Sequence, residues 1–361
     1  SLEGLRLGLI TNHTGRGREG TTTIDLLHRA SGLDLVALFS PEHGIRGEAD
    51  ASVEDGTDSE TGLPVRSLYK NETRKPSLEQ LAGLDALVFD IQDIGCRFYT
   101  YISTMGGAME AAAEAGIRFI VLDRVNPIGG AVVAGPVLAG ERSFVGFHEI
   151  PVRHGMTVGE LARMFRAERE ELEGLELSVV PIEGWRRDRL FDETGLPWVD
   201  PSPNMRSLTE ALLYPGIGLL EFMKLSVGRG TDTPFEIVGA PYLDGEDLAR
   251  ELEALRLPGL RFNPVMFTPE ASVFENEECH GVAIALTSRQ PASIRAGIAI
   301  ASILHRLHGA EIDYQRFRKL LVHQPTFEAV ASGKSLDEIE ALWQPALDEF
   351  KARRADYLLY R

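Results

Sequence analysis

The chain has 361 residues, 43% of them apolar and 25% charged, with a formal charge of −17. That length exceeds one ordinary hydrophobic core and predicts two domains. The acidic balance argues against a nucleic-acid or anionic-membrane partner, because both need concentrated lysine and arginine. Two cysteines, Cys96 and Cys279, supply neither a disulfide framework nor a metal cage, and no apolar run reaches the roughly eighteen residues that a membrane span needs.

From the N-terminus, strand-like runs alternate with helical ones. The strands are "LRLGLITN" (5–12), "LDLVALF" (33–39), "ALVFDI" (86–91), "IRFIVLD" (117–123) and "LELSVVPI" (175–182). The helices are "TTTIDLLHRAS", "SLEQLAG", "YISTMGGAMEAAAEAG" and "TVGELARMFRAEREEL". Thr22 with Asp25 reads as a capping box and Gly116 as a helix stop. Strands that are apolar throughout and separated by helices imply a parallel sheet covered on both faces. The expectation is an α/β, Rossmann-like open parallel sheet over residues 1–205. Prolines 197, 201, 203 and 215 predict an irregular crossing segment. A smaller α+β domain over 209–361 follows, with strands at "RFNPVMFTP" and "HGVAIALTS" and helices at "PASIRAGIAIASILHRLHG" and "SLDEIEALWQPALDEFKARRADYLLY".

Gly15, Gly17 and Gly20 spell G-x-G-x-x-G after the first strand, nominally a dinucleotide fingerprint with Glu42 as the ribose acid. Four residues separate the strand from the first glycine, and the helix begins after the last, so the spacing does not suit that role. A stronger pattern lies at the strand ends, where open α/β sheets bind their ligands. Successive strands finish in Thr11-Asn12-His13, Glu42-His43-Gly44, Asp90 with Gln92 and Asp93, and Asp123 with Arg124 and Asn126. Each alone reads as a turn; four together favour a site. "QDIGCRFYTY" adds Arg97, a fork for a carboxylate, and Tyr99 beside other aromatic rings that can stack on sugars or simply start a buried helix. In the second half, "SVGRGTDTPFE" sets Arg229 between two glycines and next to Thr231, which suits an anion or a salt-bridged turn. His43, His148 and His154 are scattered and lack metal-ligand spacing. No cofactor and no metal is expected.

Taken in order, these blocks resemble the bacterial exo-β-N-acetylmuramidases of NamZ type, long catalogued as a domain of unknown function. The matching stretches are "GLITNHTG", "SPEHGIRGE", "FDIQDIGCRFYTYISTM", "LDRVNPIGG", "HGMTVGELA", "GLPWVDPSPNM", "ALLYPGIGLLE", "SVGRGTDTPFEIVGAP" and "LDEFKARRADYLLY". The resemblance implies a cleft between a Rossmann-like domain and a smaller one. It implies release of N-acetylmuramic acid from the non-reducing end of peptidoglycan fragments, with the glutamate of "PEHG", Glu42, as catalytic residue. It also implies export and work in cell-wall turnover. One block departs: where the family commonly has Glu-Gly-Thr-Asn, this chain has Glu221-Phe222-Met223-Lys224, which leaves a different substrate open.

Glycoside cleavage needs an acid for the leaving oxygen and a second group for the oxocarbenium-like centre. Glu42, its pKa raised by apolar walls, is the expected acid; His43 and Arg46 are expected to orient it. Asp93, Asp123 and Glu221 are candidates for the second role. Arg97 and Arg229 are expected to meet the lactyl carboxylate. Asn12, Gln92, Tyr99, Asn126, Asn204 and Thr231 complete the expected saccharide contacts. The competing classes are a different, possibly metal-assisted hydrolase, and a non-catalytic wall-saccharide-binding protein. The expected partner is a muropeptide or peptidoglycan-derived saccharide, with another substrate for the different hydrolase.

Overall fold

The computed structural model describes residues 2–41, 44–45, 55–69 and 74–361. In chain order the elements are β1 (Arg6–Thr11), α1 (Thr23–Arg29), β2 (Asp34–Ser40), β3 (Gly56–Thr57), β4 (Pro64–Ser67), α2 (Leu78–Leu81), β5 (Ala86–Asp90), α3 (Tyr101–Ala115), β6 (Arg118–Leu122), β7 (Ala134–Val137), β8 (Pro151–Arg153), α4 (Val158–Glu168) and β9 (Leu177–Val180). After these come α5 (Leu208–Ile217), β10 (Ile237–Ala240), α6 (Gly245–Ala254), β11 (Leu260–Phe267), β12 (Cys279–Leu286), α7 (Ser293–His308), α8 (Arg318–Leu321), α9 (Gln324–Ala331), α10 (Leu336–Ala341) and α11 (Gln344–Arg354).

The seven-stranded sheet runs β3-β4-β2-β1-β5-β6-β9 and is parallel except where β3 meets β4. All five strands expected from their apolar runs are present, and the fold is the α/β class that they imply. Alternation along each strand splits the core. Leu87 and Phe89 join the large cluster that also holds α3 and α4, while Ala86 and Val88 join a smaller one beneath α1 with Leu7, Leu9 and Leu38. Chain order reverses between β1 and β5, which makes that junction the switch point of the sheet.

The later elements form an antiparallel three-stranded sheet, β10-β12-β11, with α6 packed on it and α7 packed against α5, α6 and α9. Its buried residues belong to the same continuous cluster as the first sheet. Pro215 does not break the chain as expected: it lies inside α5. Its place in the last turn costs one hydrogen bond, and α5 is held instead by α7. Their backbones touch: a Cβ on Gly297 would come within 2.2 Å of the Gly216 carbonyl oxygen. The closing "ADYLLY" returns to the first sheet, where the Tyr360 hydroxyl bonds Asp123 and the Ile182 amide. Nearby, buried Glu160 accepts from Arg187, from the Thr157 amide and from the Leu359 amide. Among the described residues no helix is long and apolar enough to cross a membrane.

Candidate active site

The parallel strands β1, β5 and β6 bring three of the four polar strand ends to one edge, and most of those groups are consumed in holding the edge together; Glu42 and His43 of the fourth lie outside the described residues. Asp90 takes Arg124 in a two-pronged ion pair, at 2.5 Å from Nε and 2.9 Å from Nη2, and also accepts from the Thr23 hydroxyl. Gln92 donates to the carbonyls of Asp93 and Val125. The Asn12 side-chain oxygen accepts from the amide and hydroxyl of Thr14. Asn126 bridges the Met156 carbonyl and the Ile128 amide. Asn12, Gln92 and Asn126 are thus buried positioning groups, where saccharide contacts were expected, because backbone donors and acceptors crowd the ends of parallel strands and must be satisfied.

Asp123 is the clearest correction. Its carboxylate accepts from the amides of Arg124 and Gly159 and from the hydroxyls of Thr157 and Tyr360. Burial pushes its pKa up to about 6, against those hydrogen bonds. With both oxygens spent on anchoring α4 and the chain end, it is not disposed to attack or protonate a sugar. Asp93 is 5% exposed and accepts from the Gly95 amide at 2.7 Å. Burial lifts it to about 7, and His154 lies 4.0 Å away. Burial, and then the arginines nearby, depress His154 to about 3, so its ring is neutral. His148 is bonded to Glu168 instead. Among the described residues no group of three or more histidines, cysteines and acids is set to hold a metal.

At the switch point itself the crevice is nearly closed. Gly17 and Gly20 turn a small hairpin in which Arg16 bridges Thr22. Trp198 and its neighbours cover what remains, a cavity of about 60 Å³. Small-molecule pockets ordinarily run from roughly 300 Å³ upward. Thr22 caps α1 through the Asp25 amide, and its hydroxyl also donates to the Asp25 carboxylate, so the reciprocal arm of a capping box is not formed.

The open cleft lies one layer above, between the sheet edge and the second half, with a volume of about 400 Å³. Its floor is aromatic. Tyr214 on α5 packs on Phe98, Tyr99 and Phe235 with ring centroids at 5.3, 5.8 and 4.7 Å, and Tyr101 donates to the Pro201 carbonyl. Burial, with Tyr101 beside it, holds the Tyr99 phenol well above its ordinary pKa; the Ser202 hydroxyl works in the opposite direction. Tyr99 is therefore neutral. Arg97, two residues earlier, points the other way. It is fully buried and donates to the carbonyls of Pro136, Leu320 and Leu321 at 3.0, 2.6 and 2.9 Å. The expected substrate fork is instead a staple that fixes Leu320 in the cleft wall.

The opposite wall carries Asn204, Glu221, Phe222 and Arg229. Gly228 and Gly230 both have φ near +80°, a conformation that side chains rarely adopt, and this tight loop sets Arg229 at its tip. Arg229 is ion-paired with Glu221. Thr231 caps the same loop through the Gly228 carbonyl and is not among the cleft residues. Of the unusual Phe222-Met223-Lys224 block only Phe222 reaches the cleft, 37% exposed; Met223 is in the core. Glu42, His43 and Arg46 lie outside the described residues. On either side of the first two, the Gly44 amide donates to the Pro41 carbonyl. Arg74, which no sequence motif singles out, also lines the cleft.

A Rossmann-like sheet joined to a second α+β unit, with an aromatic cleft carrying an ion-paired carboxylate at their junction, defines the chain as an α/β protein built to hold a polar, ring-shaped ligand. The chain belongs to the family described as exo-beta-N-acetylmuramidase NamZ: its N-terminal model matches residues 7–209 and its C-terminal model residues 212–360. It is 42% identical over 366 residues to the peptidoglycan beta-N-acetylmuramidase NamZ of Bacillus subtilis (strain 168), covering 99% of this chain and 88% of that protein. Crystal structures of two DUF1343 family proteins from Bacteroides fragilis NCTC 9343 are also similar. One has a TM-score of 0.91 at 39% identity, the other 0.82 at 33%, each spanning 100% of this chain and 95% of the other.

Proposed function

We propose that the chain is an exo-acting glycoside hydrolase that releases N-acetylmuramic acid from the non-reducing end of peptidoglycan fragments. The observation that carries this reading is the cleft, about 400 Å³ with an aromatic floor and the Glu221–Arg229 pair on its wall, in a chain of this family. Glu42, two residues beyond β2 in the sequence, is assigned the general acid that protonates the leaving oxygen. Glu221 is assigned the second role. Of Asp93, Asp123 and Glu221 it is the carboxylate that lines the cleft, where a negative charge stabilises the oxocarbenium-like centre. Tyr99, Tyr214 and Phe222 offer rings to the C–H faces of the sugar, and Asn204 offers an amide to its acetamido or hydroxyl groups. The site thus joins the unit of residues 1–205 to that of 209–361, and the muropeptide is assigned to an exported enzyme of wall turnover.

Incubation of the wild-type chain with defined glycan ends tests the reading. Free N-acetylmuramic acid should appear from fragments that carry it at the non-reducing end, while ends carrying N-acetylglucosamine stay intact. Internal cleavage, or binding without release, would contradict it.

A further inference from the structure

The cleft has two cations among its described lining residues, and they are in different states. Arg229 is committed to Glu221. Arg74 has no carboxylate partner among the described residues; its guanidinium carbon lies 4.4 Å from the ring centroid of Phe144 and 5.1 Å from that of Tyr69. The two rings meet edge to face, 81° apart in plane, so the guanidinium sits in the angle between them. Tyr69 is in turn bonded to Thr100, another cleft residue, at 3.3 Å. The adjacent Lys75 is directed to Glu110 at 3.6 Å and does not compete. Close approach to α3 fixes this segment: a Cβ on Gly107 would come within 3.3 Å of Lys75 Cβ. Aromatic faces hold a guanidinium by its π surface and leave its in-plane N–H donors unsatisfied. A planar pair of such donors matches a carboxylate.

We propose that Arg74 receives the lactyl carboxylate of N-acetylmuramic acid and so distinguishes that sugar from N-acetylglucosamine, which lacks the lactyl group. This rests on the substrate class proposed above. On a chain of charge −17, an anionic sugar gains nothing from the overall field, and its binding depends on a local cation. Of the two arginines expected to meet the lactyl carboxylate, Arg97 is buried and Arg229 is paired with Glu221, and Arg74 takes that role.

Equilibrium binding of free N-acetylmuramic acid and of N-acetylglucosamine to the full chain tests this, with Arg74→Met and Arg74→Lys beside wild type. Wild type should prefer the muramic sugar. Arg74→Met should weaken its binding on the order of ten- to a hundredfold, the scale of a hydrogen-bonded charge, and leave N-acetylglucosamine unchanged. Arg74→Lys should fall between. Unchanged muramic-acid binding in Arg74→Met overturns the proposal. So does an equal loss of both sugars, or a wild type that binds neither or does not tell them apart. Because the readout is binding, failure of turnover would remove the hydrolase reading and leave this one standing, and the reverse also holds.

Discussion

Glu210 sits in the first turn of α5, 2% exposed, accepting from the Arg206 amide. Ser207 caps the same helix and donates to Glu236. Burial raises the Glu210 pKa from 4.5 to about 7, and neighbouring Glu236 adds to the rise. A carboxyl whose folded pKa is raised contributes stability that is complete below its ordinary pKa and is lost as pH climbs through the raised one. Glu210→Gln keeps an acceptor for the amide and removes the titration. Thermal midpoints of the two proteins should diverge in favour of the variant between about pH 4.5 and pH 7. A gap that stays constant across that window would show that Glu210 does not titrate as described. The same burial logic explains Asp93, raised to about 7, and Arg97, lowered to about 10 yet still charged at neutral pH. Residue types alone announce such groups as chemistry; only the surrounding hydrogen bonds distinguish a reactive acid from a structural one. That is why Glu221 could be named from the sequence but not ranked above Asp123, whose two oxygens are filled by four donors from three separate stretches of chain.

At the scale of elements, the α5–α7 crossing bears on the cleft most directly, because α5 delivers Tyr214 to the floor and leads into Glu221. A Cβ on Gly216 would fall 1.7 Å from the Ser293 carbonyl oxygen, and one on Gly297 2.2 Å from that of Gly216. Gly297→Ala must therefore push two backbones apart, at a cost of about 1–3 kcal/mol by the measure of overpacked cores. Chemical denaturation should register that loss, and activity should fall further than stability alone accounts for, since Tyr214 shifts with α5. A variant with wild-type stability would refute the close crossing. The strands β1, β2, β5, β6 and β9 were legible as apolar runs bounded by turn residues, and the helices α3, α4 and α7 by their helical periods. The short β3, β7 and β8 carry too few residues to show a period, and α5 was hidden by Pro215, whose helix is held by packing rather than propensity. The long helix expected over 335–360 is two, α10 and α11, with Pro345 in the first turn of the second.

Over the whole molecule, one continuous core joins both sheets, and the chain end folds back onto Asp123 and Ile182. The cleft is consequently a seam in a shared core rather than a gap between independent bodies. In the sequence a cleft between the two halves was implied by the family resemblance, while the strand ends and the Gly-Arg-Gly loop were legible as separate polar clusters. The sequence could not show that the strand-end polar groups form a base beneath the cleft while aromatic residues line it, because that layering depends on side-chain direction. The central claim is that Glu42, two residues after β2 in the chain, is the acid for release of N-acetylmuramic acid. The most direct test compares hydrolysis of a chromogenic β-N-acetylmuramic acid glycoside by wild type and by Glu42→Gln, with the N-acetylglucosamine glycoside as control and thermal midpoints to verify folding. Release from the muramic substrate alone, lowered on the order of a hundredfold or more in a folded variant, is the result predicted for removal of a general acid. A folded Glu42→Gln protein that turns over at the wild-type rate would contradict it.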